Sequence, residues 1–304
     1  ALPTWYVARE TRREVTVALT GDAGDELFGG YDRYRALALT EKFHRLPATP
    51  RRIINGLLHR FLPRSGKAKS RLRMLERLFE RVNEPAEARY LSWMTTFDEA
   101  GRLSLYRDEQ LERLAATASR QPEGTPTDPA QILALAGALA GQRDPVTRAM
   151  VTDLQTYLPG DLLVKVDLAS MAHSLECRGP FLDHRVVELA AAMPVDHKLR
   201  LRHSRSKVVL KRAFADLIPA PILSRKKMGF GVPVGRWFQS ELKREIQEIL
   251  LDPTALDRGL FQPEAVQTLV AEHLSGKREH GHRLWALVIL ELWFRNYLPG
   301  GSAS

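Results

Sequence analysis

The stretch Val15–Tyr34, VTVALTGDAGDELFGGYDRY, constrains this chain more than any other. Val15, Val17 and Leu19, alternating with Thr16, Ala18 and Thr20, read as a short β-branched strand. It runs into Gly21-Asp22-Ala23-Gly24, where two glycines permit positive φ and close approach of a ligand to the backbone. Asp25 and Glu26 then open a helical run carrying Leu27, Phe28, Tyr31 and Tyr34, which puts carboxylates in its first turn. Strand, glycine turn and helix N-terminus together offer an anion a cradle of backbone N–H groups. Three carboxylates beside it oppose a bare phosphate and suit one that arrives with Mg²⁺, which takes hard oxygen ligands. A tight turn before a capped helix is the plainer reading of the same residues.

The remaining sequence is written mostly in helical spacing. Leu2–Glu14 reads as a helix, and the pattern after the loop continues through Ala36, Leu37, Leu39 and Phe43 to Leu46, where Pro47 and Pro50 end it. A basic amphipathic segment, Arg51–Leu62, precedes a polar linker, Pro63–Ser70, and an apolar stripe from Leu72 to Val82. Pro122–Pro129 is a second polar loop, and a subregion break near 121–130 is expected within one domain spanning 1–304. The segment between Asp128 and Arg143 carries no charge, is too short to span a bilayer, and reads as a core helix. Leu284–Leu298 is apolar on most sides and is expected to be buried.

One strand is not a sheet, yet a strand–glycine loop–helix motif belongs to parallel α/β architecture. The fold class expected is therefore α/β, predominantly helical in this stretch, with the strand's neighbours supplied by sequence outside it. A formal charge of +9 favours anionic ligands without choosing among them. With Cys177 as the sole cysteine there is no disulfide framework, and a cytoplasmic protein without membrane association is expected. The nine histidines form no ligand pattern, and His280 and His282 read as bystanders in a charged loop.

Three further segments carry chemistry. In Tyr157–Ala172, Pro159-Gly160-Asp161 reads as a turn and cap before a helix with Leu163, Val166 and Ser170 inward. Glu176 and Arg178 flank Cys177 in an extended segment, as an active-site wall or as a structural ion pair. In Ser204–Phe214, a serine caps a helix whose inward stripe is Val208, Leu210, Phe214 and Leu217. Lys207 then falls in the first turn, the wrong end for a cation unless a phosphate is held there. Arg225-Lys226-Lys227 followed by Gly229 and Gly231 suits a mobile loop closing over an anion, or a solvated turn.

The central string resembles the SGDGGDELFGGY element of the asparagine synthase family, with Thr20 in place of Ser and Ala23 in place of Gly. Tyr157–Asp183 is similar to that family's YLPDDILVKVDRASMA…SLEARVPFLD, departing at Leu168, where Arg is usual, and at Gly179. Leu223–Pro233 resembles its RxKxGFxxP loop. The resemblance implies an ATP pyrophosphatase-type synthetase domain of the adenine-nucleotide alpha-hydrolase kind. Its reaction amidates aspartate, or a related carboxylate, through an acyl-adenylate, with ATP and Mg²⁺ as cofactors and ammonia from glutamine. It places Thr20 and Gly21 at the nucleotide, Asp25 at the nucleotide and metal, and Asp22, Glu176 and Lys207 in catalysis.

The family's SGGxDS pyrophosphate loop and glutaminase domain do not occur in these 304 residues. The chain accordingly reads as a C-terminal synthetase fragment, inactive by itself, from a complete protein compatible with a homodimer. A basic nucleic-acid-binding module built on Arg60, Arg64, Lys67, Lys69, Arg71, Arg73 and Arg77 is the rival reading, opposed by the acidic loop. A non-catalytic scaffold is a third.

Overall fold

The structure, a computed structural model, describes residues 1–47, 49–50, 56, 82, 84–122, 129–138, 141, 143–201, 205–225 and 231–298. The chain divides into two compact units: Ala1–Trp93 with Asp128–Phe230, and Met94–Thr127 with Gly231–Ser304. The polar linker at 63–70, the cations of the nucleic-acid reading and the Lys226–Phe230 loop lie outside the described residues.

The first unit contains α1 (Leu2–Arg12), β1 (Val17–Leu19), α2 (Gly24–Phe28), α3 (Asp32–His44), α4 (Ala86–Met94), α5 (Pro129–Ala138) and α6 (Pro145–Gln155). It continues with α7 (Val164–Met171), β2 (Glu176–Arg178), α8 (His184–Ala192), α9 (Val195–Lys198), β3 (Leu199–Arg200), β4 (Arg205–Ser206) and α10 (Val208–Ala213). Strand β1 pairs in parallel with β2, Val17 opposite Glu176 and Leu19 opposite Arg178. One neighbour of the strand thus comes from within this chain, out of the segment read as extended. Val15, Val17 and Leu19 stay exposed, Leu19 to 75%. Parallel strands are normally covered on both faces, so this pair keeps an unsatisfied apolar side.

Several sequence expectations change. The run after the loop is two helices, broken at Gly29, which takes φ 67 as the C-cap of α2. Among the loop residues it is Ala23 (φ 67) that adopts positive φ, while Gly21 and Gly24 do not. Pro159-Gly160-Asp161 makes no turn: Leu158–Leu163 is a π-helical segment feeding straight into α7, because proline at the start of a helix costs no hydrogen bond. On helix α5, read as a core helix, Gln131, Ile132, Ala134 and Ala138 are exposed and Gly137 is buried. On and after α10, Phe214 and Leu217 are exposed and only Val208 of the expected stripe is fully buried.

The core around the loop joins Ala23, Leu27, Phe28, Leu158 and Ala190, with Phe181, Val187 and Leu210 against them. Lys198, at the end of α9, is 5% exposed and without a hydrogen-bond partner among the described residues. Burial, reinforced by Arg143, lowers its pKa from 10.5 to about 8. Between those values the unfolded chain holds a proton that the folded chain lacks, so stability rises with pH across that window. Below pH 8 the penalty is full. Lys198→Met is expected to stabilise the protein at pH 7 by about 2–3 kcal/mol, a gain that shrinks towards pH 10. Urea denaturation of both proteins at pH 7 and pH 10 measures the gap, and a pH-independent difference contradicts this account.

The second unit packs Phe238, Ile246, Leu250, Val266, Val270, Leu284, Leu287 and Val288 into one core. Its last helix, Gly281–Tyr297, buries one side and exposes Ile289, Trp293 and Tyr297, so it is amphipathic where the sequence suggested general burial. Nor is His280 a loop bystander. It is buried at that helix's N-cap, bonded to Glu272 at 2.9 Å, and its N–H donates to His273 Nδ1 at 3.1 Å. With Nδ1 accepting, His273 is the neutral tautomer that donates from Nε2 to the Gly235 carbonyl at 2.9 Å.

Candidate functional site

The loop after β1 is tied to both strands' ends. Thr20 N–H donates to the Arg178 carbonyl (2.7 Å), and Gly24 N–H closes the turn on the Gly21 carbonyl (3.2 Å). A Cβ built on Gly179 would lie 3.1 Å from Leu182, which would have to give slightly, and in ordinary contact with Thr20 Oγ1 at 3.7 Å. Gly21 is exposed, with open space where a side chain would stand. Asp22 is half-buried, and among the described residues its carboxylate enters no hydrogen bond or ion pair.

Lys207 arrives from far along the sequence. The short antiparallel hairpin β3–β4 delivers it to the end of α2, where its N–H donates to the Phe28 carbonyl (3.2 Å). It is not inside the first turn of a serine-capped helix. It is itself the N-cap of α10, in the left-handed conformation with φ 54 and ψ 40. That backbone twist aims the side chain across α2, and Nζ lies 2.6 Å from Asp25 Oδ1. The pair rests directly over Gly30. A Cβ on Gly30 would stand 1.9 Å from Asp25 Oδ1 and 2.6 Å from Lys207 Cε. A Cβ on Gly24 would be 3.6 Å from the lysine amine, so glycines flank it on two sides. Burial holds the Lys207 ammonium below the usual lysine range, with Glu26 acting in the opposite direction.

The three acids of the loop do not share a face. Asp25 meets Lys207, whereas Glu26 is 1% exposed and accepts a 2.5 Å hydrogen bond from Tyr31 Oη. Among the described residues no group of three or more His, Cys, Asp or Glu is arranged to hold a metal ion. Helix α2 has only five residues and contributes little dipole, so a phosphate here depends on Lys207 more than on the helix start. Glu176 is not brought into this cluster. It sits opposite Val17, back along the strand from the loop, and pairs with Arg178 at 2.7 Å on an exposed face. Alternate strand residues point to one side, which is why the two side chains meet.

Sequence reasoning missed the polar cluster beneath α2. Asp153 of α6, fully buried, accepts from Arg33 Nη2 (2.7 Å), from Tyr90 Oη (2.6 Å) and from Tyr34 Oη. A buried acid needs partners, but nothing in the local pattern around Asp153 names residues 63 to 120 positions away.

The sequence matches the asparagine synthase family over residues 1–295. The chain belongs to the asparagine synthase family. It is 28% identical over 308 residues to asparagine synthetase [glutamine-hydrolyzing] 1 of Bacillus subtilis, covering 98% of this chain and 44% of that protein. A putative asparagine synthetase of Mycobacterium tuberculosis is 34% identical over 292 residues, covering 96% of this chain and 41% of the relative. A more distant member, amidase chry2 of Gibberella zeae, is 22% identical over 271 residues, 83% of this chain and 37% of its own. This asparagine synthase family chain therefore spans well under half of the relatives it matches. No solved structure matches it. Among the described residues, no helix is long and apolar enough to cross a membrane.

Proposed function

We propose that this chain is the nucleotide-handling part of an ATP-dependent amide-forming ligase, acting on aspartate or a related carboxylate through an acyl-adenylate. The observation that carries the reading is the Lys207–Asp25 contact at 2.6 Å, made across two glycines beside an open loop. A half-buried lysine gains more from a phosphate than from solvent, and Asp25 keeps it in place beforehand. In the reaction Lys207 moves onto the phosphates and stabilises charge building on the leaving pyrophosphate. The exposed Gly21 backbone and Thr20 lie where the nucleotide enters. Asp22 stands at the loop for the adenylation step.

Magnesium suits this donor set in a limited way. With Glu26 turned to Tyr31, Asp22 and Asp25 are the loop carboxylates left, Asp25 being the one the resemblance gives to the metal, and Mg²⁺ is commonly bound by one or two carboxylates with the rest from substrate phosphates. When bound it would screen the phosphate charge. Ammonia would come from glutamine hydrolysed elsewhere in a complete protein. The acceptor follows less directly, since Leu168 is 67% exposed where the family pattern has a cation.

The test is binding, because the SGGxDS loop is absent from these residues and turnover by this chain alone is not expected. ATP with Mg²⁺ at a hundred times its dissociation constant should raise the melting temperature by roughly 5–10 °C. No shift with ATP–Mg²⁺, alongside salt-sensitive oligonucleotide binding, would favour the nucleic-acid reading instead.

A further inference from the structure

Beneath the Lys207–Asp25 contact, the chain turns sharply through Gly29 and Gly30. The backbone closes it once, Gly30 N–H donating to the Asp25 carbonyl at 2.8 Å. A second closure comes from side chains: Tyr31 Oη donates to Glu26 Oε1 at 2.5 Å, bridging the residue after Asp25 to the residue after Gly30. Burial and the Glu26 carboxylate push the Tyr31 phenol well above its usual range, which keeps it a donor. Its ring is fixed in turn. The Arg33 guanidinium lies 3.8 Å from the Tyr31 ring centre and 4.8 Å from that of Tyr157. Arg33 is anchored to Asp153 at 2.7 Å and donates to Tyr90 Oη at 2.7 Å. A surface tyrosine making one loose contact would not be held from three sides.

We propose that Tyr31 is a positioning residue, its phenol stapling Glu26 across the Gly29–Gly30 turn so that Asp25 and Lys207 meet over Gly30. The inference rests on the reading of this loop as the nucleotide site, and it assigns Tyr31 and Glu26 a task that neither sequence spacing nor the family match gives them. Arg33 and Asp153 hold the staple from behind. In this role Tyr31 acts through Asp25 and Lys207.

The experiment compares the 304-residue chain with Tyr31→Phe, which keeps the ring on Arg33 and removes the donor, and with Glu26→Gln, which keeps an acceptor. Two readouts are taken well below the melting temperature. The first is ATP–Mg²⁺ affinity by calorimetry, expected to fall about tenfold or more in Tyr31→Phe and less in Glu26→Gln, since the former removes the hydrogen bond and the latter leaves a weaker, uncharged one. The second is amide hydrogen exchange, expected to quicken about tenfold at Gly30 and Lys207 in Tyr31→Phe while the Asp153 helix is unchanged. A lower melting temperature with wild-type affinity and wild-type local exchange overturns the positioning role. Should Tyr31→Phe fail to fold, Glu26→Gln with losses as severe as removing Asp25 overturns it. If the wild-type chain itself binds no ATP–Mg²⁺, the nucleotide reading fails, and the exchange comparison still decides the staple.

Discussion

Lys207→Gly should abolish the thermal response to ATP–Mg²⁺ while leaving the protein folded, with affinity down about a hundredfold or more. The two halves of this expectation have separate causes. Lys207 occupies φ 54, a region that costs an L-residue roughly 1–2 kcal/mol and glycine almost nothing. Glycine therefore relieves strain and a desolvated charge, which offsets the lost contact to Asp25. Binding has no such compensation, because the charge-assisted contact to phosphate proposed for Lys207 would disappear with nothing to replace it. In a complete family member the same change should depress adenylate formation by orders of magnitude and spare glutamine hydrolysis. Calorimetry with ATP–Mg²⁺ and a melting curve suffice for the chain itself. Tight binding by a folded Lys207→Gly protein would remove the lysine from the site.

Gly30→Ala should produce a comparable loss of binding by a different route. The new methyl would coincide with Asp25 Oδ1 (1.9 Å) and crowd Lys207 Cε (2.6 Å). Both atoms are ends of flexible side chains, and Gly30 does not use a positive φ, so the fold accommodates the change by moving them aside. The cost to stability is expected to be about 1–2 kcal/mol, because Gly30 is buried and the Asp25 and Lys207 side chains must both move to admit the methyl. The cost to ATP–Mg²⁺ affinity is expected to exceed about tenfold, because Asp25 can no longer hold the lysine ready. Denaturant titration and calorimetry on the same sample separate the two effects. A Gly30→Ala protein that binds like wild type would mean that the lysine finds the nucleotide without its resting contact.

What could be read in the sequence followed the range of the forces involved. The strand at Val17–Leu19, the helix at Leu2–Arg12 and the loop between strand and Asp25 are local, and alternation, periodicity and glycine content expose them. The break after Phe28 was also written there, in the Gly29-Gly30 pair, but helical spacing of Tyr31 and Tyr34 with the earlier apolar residues disguised it. Lys207 stood out as a misplaced cation at a helix start. Its actual place as a left-handed N-cap depends on the β3–β4 hairpin, which no spacing rule at Ser204–Phe214 discloses. The Arg33–Asp153–Tyr90 cluster was invisible for a similar reason: its members come from three helices, and each residue alone resembles an ordinary surface polar group. Glu176 could be read from its extended segment as an active-site wall or as an ion pair with Arg178, and the structure adds the 2.7 Å contact between them and its distance along the strand from the loop.

The bare side of β1 bears on how the protein behaves in a tube. An extended segment whose second edge pairs with no strand among the described residues, with greasy side chains at Val15, Val17 and Leu19, is a ready template for any other extended backbone. At millimolar concentration these molecules should stick to one another through that edge, and dilution or a short competing peptide of matching alternation should release them.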